Sequence, residues 1–195
     1  MQLRSLAAFV AVALAHCLVG APPTRAGNGS CFGHPTTIVG AGKIKGTPGD
    51  DVIGGSNEDD VIDGGGGSDI ICGFGGDDRI KARNGSMTID GGTGNDRIQV
   101  KAGGASVHDI EGGDGADVIA YDSGGGDSAL IDGGAGNDRI KAATKGGTAS
   151  AIRGGDGDDL IQFDDDGVGV HTVSGDAGVD TCKCKDFAPD CEITH

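Results

Sequence analysis

Isoleucine sets the rhythm of this chain. Ile53, Ile62, Ile71, Ile80, Ile89 and Ile98 stand nine residues apart, without exception. Beyond Ile98 the steps alternate between twelve and nine, through Ile110, Ile119, Ile131, Ile140, Ile152, Ile161, Val173 and Cys182, so the later part repeats every 21 residues. No helical period gives such spacing. Each large aliphatic residue has flanking residues that would point the other way, which predicts a short strand with one side chain inward and its neighbours outward. Two residues beyond every second column stand Val100, Tyr121, Ala142, Phe163 and Cys184, again 21 apart. They predict a second inward position on lengthened strands in the later part. A fixed period held over so many steps is the mark of a solenoid, and the fold class it predicts is all-β, a stack of parallel coils.

What separates the strands is glycine and aspartate. Gly91-Gly92-Thr93-Gly94-Asn95-Asp96-Arg97-Ile98 is followed by Gly112-Gly113-Asp114-Gly115-Ala116-Asp117-Val118-Ile119. Gly133-Gly134-Ala135-Gly136-Asn137-Asp138-Arg139-Ile140 and Gly154-Gly155-Asp156-Gly157-Asp158-Asp159-Leu160-Ile161 continue the series. These segments resemble the calcium-binding nonapeptide of the RTX, or hemolysin-type, repeat family, G-G-x-G-x-D-x-U-x with U a large aliphatic residue. The resemblance runs from about Gly46 to Lys183 and implies a parallel β-roll in which two nonapeptides make one coil. It also implies Ca²⁺ between same-edge turns of neighbouring coils, held by the Asp of both. The chemistry suits the residues: glycine lets the chain turn with backbone carbonyls near an ion, and Asp offers a hard anionic oxygen on a short arm.

Alternate repeats fall on opposite edges of such a coil. Edge one carries Asp60, Asp78, Asp96, Asp117, Asp138, Asp159 and Asp180, with Gly92, Gly94, Gly113, Gly115, Gly134, Gly136, Gly155, Gly157 and Gly178 as the glycines of its ligand turns. Its first turn, Gly55-Ser56-Asn57-Glu58-Asp59-Asp60, lacks most of the glycines, which makes the first gap the weakest site. Edge two begins with Asp51 and Asp69, but Met87, His108, Ala129, Ser150 and His171 then occupy the equivalent position. The expected outcome is a one-sided column of about five to seven Ca²⁺ ions, with at most one on edge two.

Composition turns this pattern into a folding problem. Acids outnumber bases 30 to 15, and only Glu58, Glu111 and Glu192 among them are Glu. Without ions, the carboxylates of one rim would stack at the strand spacing of about 4.8 Å. Folding is therefore expected to require the metal, with affinity on the order of 10⁻⁴–10⁻³ M, as in extracellular modules. Residues 1–26 carry an early Arg4, an apolar run from Leu6 to Ala15 and small residues near Ala26. That describes a secretory signal peptide, too short in its apolar run to span a bilayer. The domain plan is thus signal peptide 1–26, N-terminal cap 27–45, β-roll 46–183 and C-terminal cap or tail 184–195, in a secreted, extracellular monomer. Secretion favours disulfides. Cys31–Cys72 would tie the entry segment to the strand of Ile71, and Cys182–Cys191 would staple the last coil to the tail. Both ends look similar to those of small secreted RTX-like proteins of actinobacteria. Cys184 is left in the inner column or in competition with Cys182.

Catalytic material is scarce. No H-E-x-x-H or G-x-S-x-G occurs, and His108 and His171 read as solvated loop residues. A polysaccharide-active enzyme would need an acid–base set that the sequence does not display. An ice-binding solenoid would need ranked Thr or Asn, yet Thr47 and Thr93 stand nearly alone in their loop column. A sequence pI near 4.4 argues against nucleic acid as a partner. The sequence therefore predicts a non-catalytic calcium-binding protein. Its alternative role is an adhesin-like module binding an anionic cell-wall or extracellular glycan. That alternative comes from outward bases beside one Ile column, namely Arg79, Lys81, Arg97, Arg139, Lys141 and Lys183.

Overall fold

The computed structural model describes residues 29–145, 149–165 and 170–185. The expected signal peptide, Cys191 and most of the expected tail lie outside the described residues. Among the described residues nineteen glycines adopt positive φ, fifteen of them outside strands and four, Gly92, Gly113, Gly134 and Gly155, near the ends of longer strands. An antiparallel pair, β1 (Ser30–Cys31) and β2 (His34–Pro35), opens the described chain. Two parallel sheets of eight strands follow. The odd sheet stacks β3 (Ile38–Val39), β5 (Val52–Gly54), β7 (Asp69–Cys72), β9 (Met87–Thr93), β11 (Val107–Asp114), β13 (Ser128–Ala135), β15 (Ala149–Asp156) and β17 (Val170–Ala177). The even sheet stacks β4 (Lys43–Lys45), β6 (Val61–Asp63), β8 (Arg79–Arg83), β10 (Arg97–Ala102), β12 (Val118–Ser123), β14 (Arg139–Thr144), β16 (Leu160–Asp165) and β18 (Thr181–Lys185). The chain passes from one sheet to the other at every turn, so two strands make one coil, as the nonapeptide pattern predicts.

Each isoleucine of the ladder pairs in register with the next of its own sheet, Ile71 with Ile89 and Ile98 with Ile119, for example. The two columns face each other and form a single core in which these side chains are buried. The second inward column is also present: Val100, Tyr121, Ala142 and Phe163 are buried. It begins one coil earlier than the 21-residue period suggested, since Ala82 pairs with Val100 and is itself buried. A third inward column follows in Ala102, Ser123, Thr144 and Asp165, all buried. The three extra residues of the longer repeats have gone into strands rather than loops, widening the core of the later coils.

That lengthening corrects one expectation. His108 and His171 are not solvated loop residues; they are strand residues, 1% and 6% exposed. The register runs Asp69, Met87, His108, Ala129, Ser150, His171, so the position that carries Asp in the early turns has become an inward strand position in the later coils. His108 packs edge-on against Tyr121 at 5.3 Å between ring centroids, and His171 lies 5.2 Å from Phe163. Burial pushes the His108 imidazole below its ordinary range, which keeps it neutral in the core. The Nε2 of His171 lies 3.6 Å from Asp165 Oδ2. At the start of the coil Cys31 is disulfide-bonded to Cys72, as expected.

Candidate metal centre

The turns from odd to even strands form edge one, and those from even to odd form edge two. On edge one Asp60, Asp78, Asp96, Asp117, Asp138 and Asp159, each just before an even strand, are buried, and Asp180 at the end of the row is half-buried. One oxygen of each has a fixed role. Oδ1 of Asp78 accepts the backbone N–H of Asp60 at 2.7 Å, and Oδ1 of Asp96 that of Asp78 at 2.7 Å. The same bond joins Asp96 to Asp117, Asp117 to Asp138, Asp138 to Asp159 and Asp159 to Asp180, at 2.7–2.9 Å. Oδ1 of Asp60 accepts from Gly42, which holds the equivalent place one coil earlier. On edge two Asp51 donates to Asp69 in the same way, at 3.1 Å.

The second oxygen divides these residues into two kinds. Oδ2 of Asp69, Asp78, Asp96, Asp117, Asp138, Asp159 and Asp180 is buried with no hydrogen-bond partner. Oδ2 of Asp51 instead accepts from the hydroxyl and N–H of Thr47, at 2.9 and 2.6 Å. Asp60 is held likewise by Ser56, at 3.0 and 2.6 Å. The residue four before the Asp decides the outcome. Where it is Gly65, Gly92, Gly113, Gly134 or Gly155, or the non-glycines Phe74 and Asp176, it adopts positive φ and the carboxylate oxygen stays open. Where it is Thr47 or Ser56, the turn closes on the carboxylate itself.

A second signature sits at the first glycine of each turn. A Cβ built on Gly112 would meet Asp117 Oδ2 and the carbonyl of Gly133 in the next coil, both well inside van der Waals contact. Gly73, Gly91 and Gly133 repeat this pattern with the Asp of their own turn and the carbonyl of the next coil. Anionic and carbonyl oxygens therefore converge from two coils on a spot kept clear of side chains. Such a set fits a hard divalent cation that takes only oxygen, and it offers nothing to a soft metal. Without that charge the rim is electrostatically poor. Burial, reinforced by neighbouring carboxylates, raises Asp78 to about 7 and Asp69, Asp96, Asp117, Asp138 and Asp159 to about 6.

The sequence placed every one of these Asp residues on its observed edge, together with Gly92, Gly94 and their counterparts. It missed two things. One is the closing hydroxyl, although Thr47 and Ser56 stand where the repeat has glycine, and that substitution was readable. The other is Asp127, fully buried on edge two, whose Oδ1 accepts from Ser106 N–H at 2.8 Å and Oδ2 from Ser123 Oγ at 2.8 Å. It repeats the closed turn of Asp51 and Asp60, displaced two residues upstream by the longer strand.

A family model described as the RTX calcium-binding nonapeptide repeat, in 4 copies, matches residues 45–80, 72–104 and 123–143. Searches among curated proteins and among solved structures return no match.

Proposed function

We propose that this chain, an RTX-type parallel β-roll protein with calcium-binding repeats, is a secreted, non-catalytic protein that winds its coil as it binds Ca²⁺ outside the cell. The observation that carries this is the set of seven buried Oδ2 atoms without a partner, six on edge one and one, Asp69, on edge two. Leaving a buried carboxylate oxygen unsatisfied is costly, and a divalent cation removes the cost at each position. Asp78, Asp96, Asp117, Asp138, Asp159 and Asp180 are the proposed ligands of the main column. Asp51 and Asp60, closed by their own turns, start the two rails. The ion number this favours lies within five to seven, near the upper end. The leader at residues 1–26 and the Cys31–Cys72 disulfide support export, and the enclosure of His108 and His171 in the core supports a role without catalysis.

Calorimetric titration of the full chain with Ca²⁺, paired with far-ultraviolet circular dichroism, tests this. Uptake of five to seven ions with strand signal appearing in step is expected. A strand signal equally strong in excess chelator would overturn the coupling, and no uptake in millimolar calcium would overturn the binding. Sequencing the N-terminus of exported protein tests the leader, with residue 27 expected first. A second reading, an adhesin-like module for an anionic glycan, is favoured by the charge distribution on the even sheet.

A further inference from the structure

We propose that the outward face of the even sheet is a docking surface for a linear anionic polysaccharide, assembled and switched on by calcium although no proposed ion lies on it. The inference rests on the calcium-driven winding proposed above. Among the described residues there are thirteen Lys and Arg, and eleven of them point outward from this one sheet, leaving only Lys145 and Arg153 elsewhere. The sheet's outward acids are Asp63, Asp122 and Asp164. The opposite sheet presents Asp90, Glu111 and Asp132 in one row. A net charge of −15 therefore conceals a strongly two-sided molecule.

Register makes the face. Arg79 pairs with Arg97, and Arg139 follows two rungs further through Val118. Lys45, Lys81, Lys141 and Lys183 lie along the next row. Neighbouring rungs are about 4.8 Å apart, so cations recur along a straight line at small multiples of that spacing. A groove of about 340 Å³ runs between Arg79, Lys81, Arg97 and Gln99, where the short side chains of Val118 and Ala120 leave room beside the long ones. A straight polyanion with regularly repeated charges is the complementary shape. The outward positions carry no aromatic side chain on which bases could stack, which favours a carbohydrate over a single-stranded nucleic acid.

Calcium acts on this face twice. In the unwound chain the same bases are scattered among 30 acids and form no surface. In the wound coil Asp78 and Asp96 directly precede Arg79 and Arg97, and they line one groove together with those arginines. Neutralising that rim removes the negative potential that would repel an approaching polyanion.

Binding of the full chain to immobilised dextran sulfate at low ionic strength tests the inference, in millimolar calcium and in excess chelator. Arg79→Glu with Arg97→Glu should weaken binding about tenfold or more, and added salt should weaken the wild type. Arg153→Glu on the other sheet and the Arg79→Lys, Arg97→Lys pair should bind within about twofold of wild type. If the Glu pair fails to wind in calcium, Lys141→Glu with Lys183→Glu replaces it, with the same loss expected. Undiminished binding by a wound charge-reversal variant, or equal binding in chelator, would overturn the proposal. A DNA oligonucleotide bound as tightly as dextran sulfate would overturn the choice of polysaccharide. A wild type that fails to wind in calcium brings down both readings, and circular dichroism reveals that before any polyanion is added.

Discussion

Two positions in each edge-one repeat are set by atoms of the next coil, so single substitutions there should separate steric from electrostatic effects. Ala at Gly112 places a methyl group against Asp117 Oδ2 and the Gly133 carbonyl, whereas Ala at Gly66 meets only the Pro48 carbonyl at 3.7 Å and that of Arg83 at 4.0 Å. Gly112→Ala should cost about 1–3 kcal/mol of calcium-loaded stability by overpacking, with Gly66→Ala close to neutral. Urea unfolding in saturating calcium measures both, and equal losses would refute the convergence argument. Asp117→Asn asks the complementary question. The amide oxygen can still accept from Asp96 N–H, now at 2.7 Å, while the charge and the open oxygen disappear. The coil should survive with about one to two ions fewer by calorimetry, since Asp117 stands between the gaps to Asp96 and to Asp138.

At the scale of strands and turns, the rim behaves as a coupled titrating array. Its raised carboxylates, Asp78 at about 7 and five others at about 6, favour the protonated form in the wound, metal-free coil. A folded pKa above the unfolded one stabilises the fold at low pH and loses that contribution as pH rises through the folded value. Strand signal in chelator should therefore grow as pH falls from about 7.5 to about 5. The calcium affinity of the wound coil should fall over the same range, because protons compete for the same oxygens. An affinity independent of pH would exclude these carboxylates as the ligands. How far this array was legible beforehand follows from its periodicity. Core and rim repeat in sequence with the coil, so Ile98 and Asp96 announce their places. His108 was misjudged because a three-residue insertion looks the same whether a loop or a strand absorbs it. Alternation back from Ile110 nevertheless points position 108 inward, and that signal was there. The hydroxyls of Thr47, Ser56 and Ser123 left no periodic trace, since each is an exception to the repeat.

For the molecule as a whole, stability is distributed along a stack in which each coil touches only its neighbours, so the ends matter more than in a compact domain. The lower end is held covalently. Cys31–Cys72 spans a sequence separation of 41 and ties β1 to β7, enclosing the first coils, which have the shortest strands and the narrowest core. Closing a loop of that length removes about 4 kcal/mol of chain entropy from the unwound state. Those first coils also include Asp51 and Asp60, whose second oxygens are satisfied by Thr47 and Ser56 rather than left open. The disulfide thus acts where the ion column is thinnest, and calcium stabilises the part that the disulfide does not reach. Cys31→Ser with Cys72→Ser should raise the calcium midpoint of winding and lower urea resistance at saturating calcium by a few kcal/mol. The fraying should be confined to residues before β8, where hydrogen exchange would quicken while the Ile119–Ile161 strands stay protected. Uniform loss of protection along the stack would instead mean that the coil winds as one indivisible unit, with the disulfide acting on all of it.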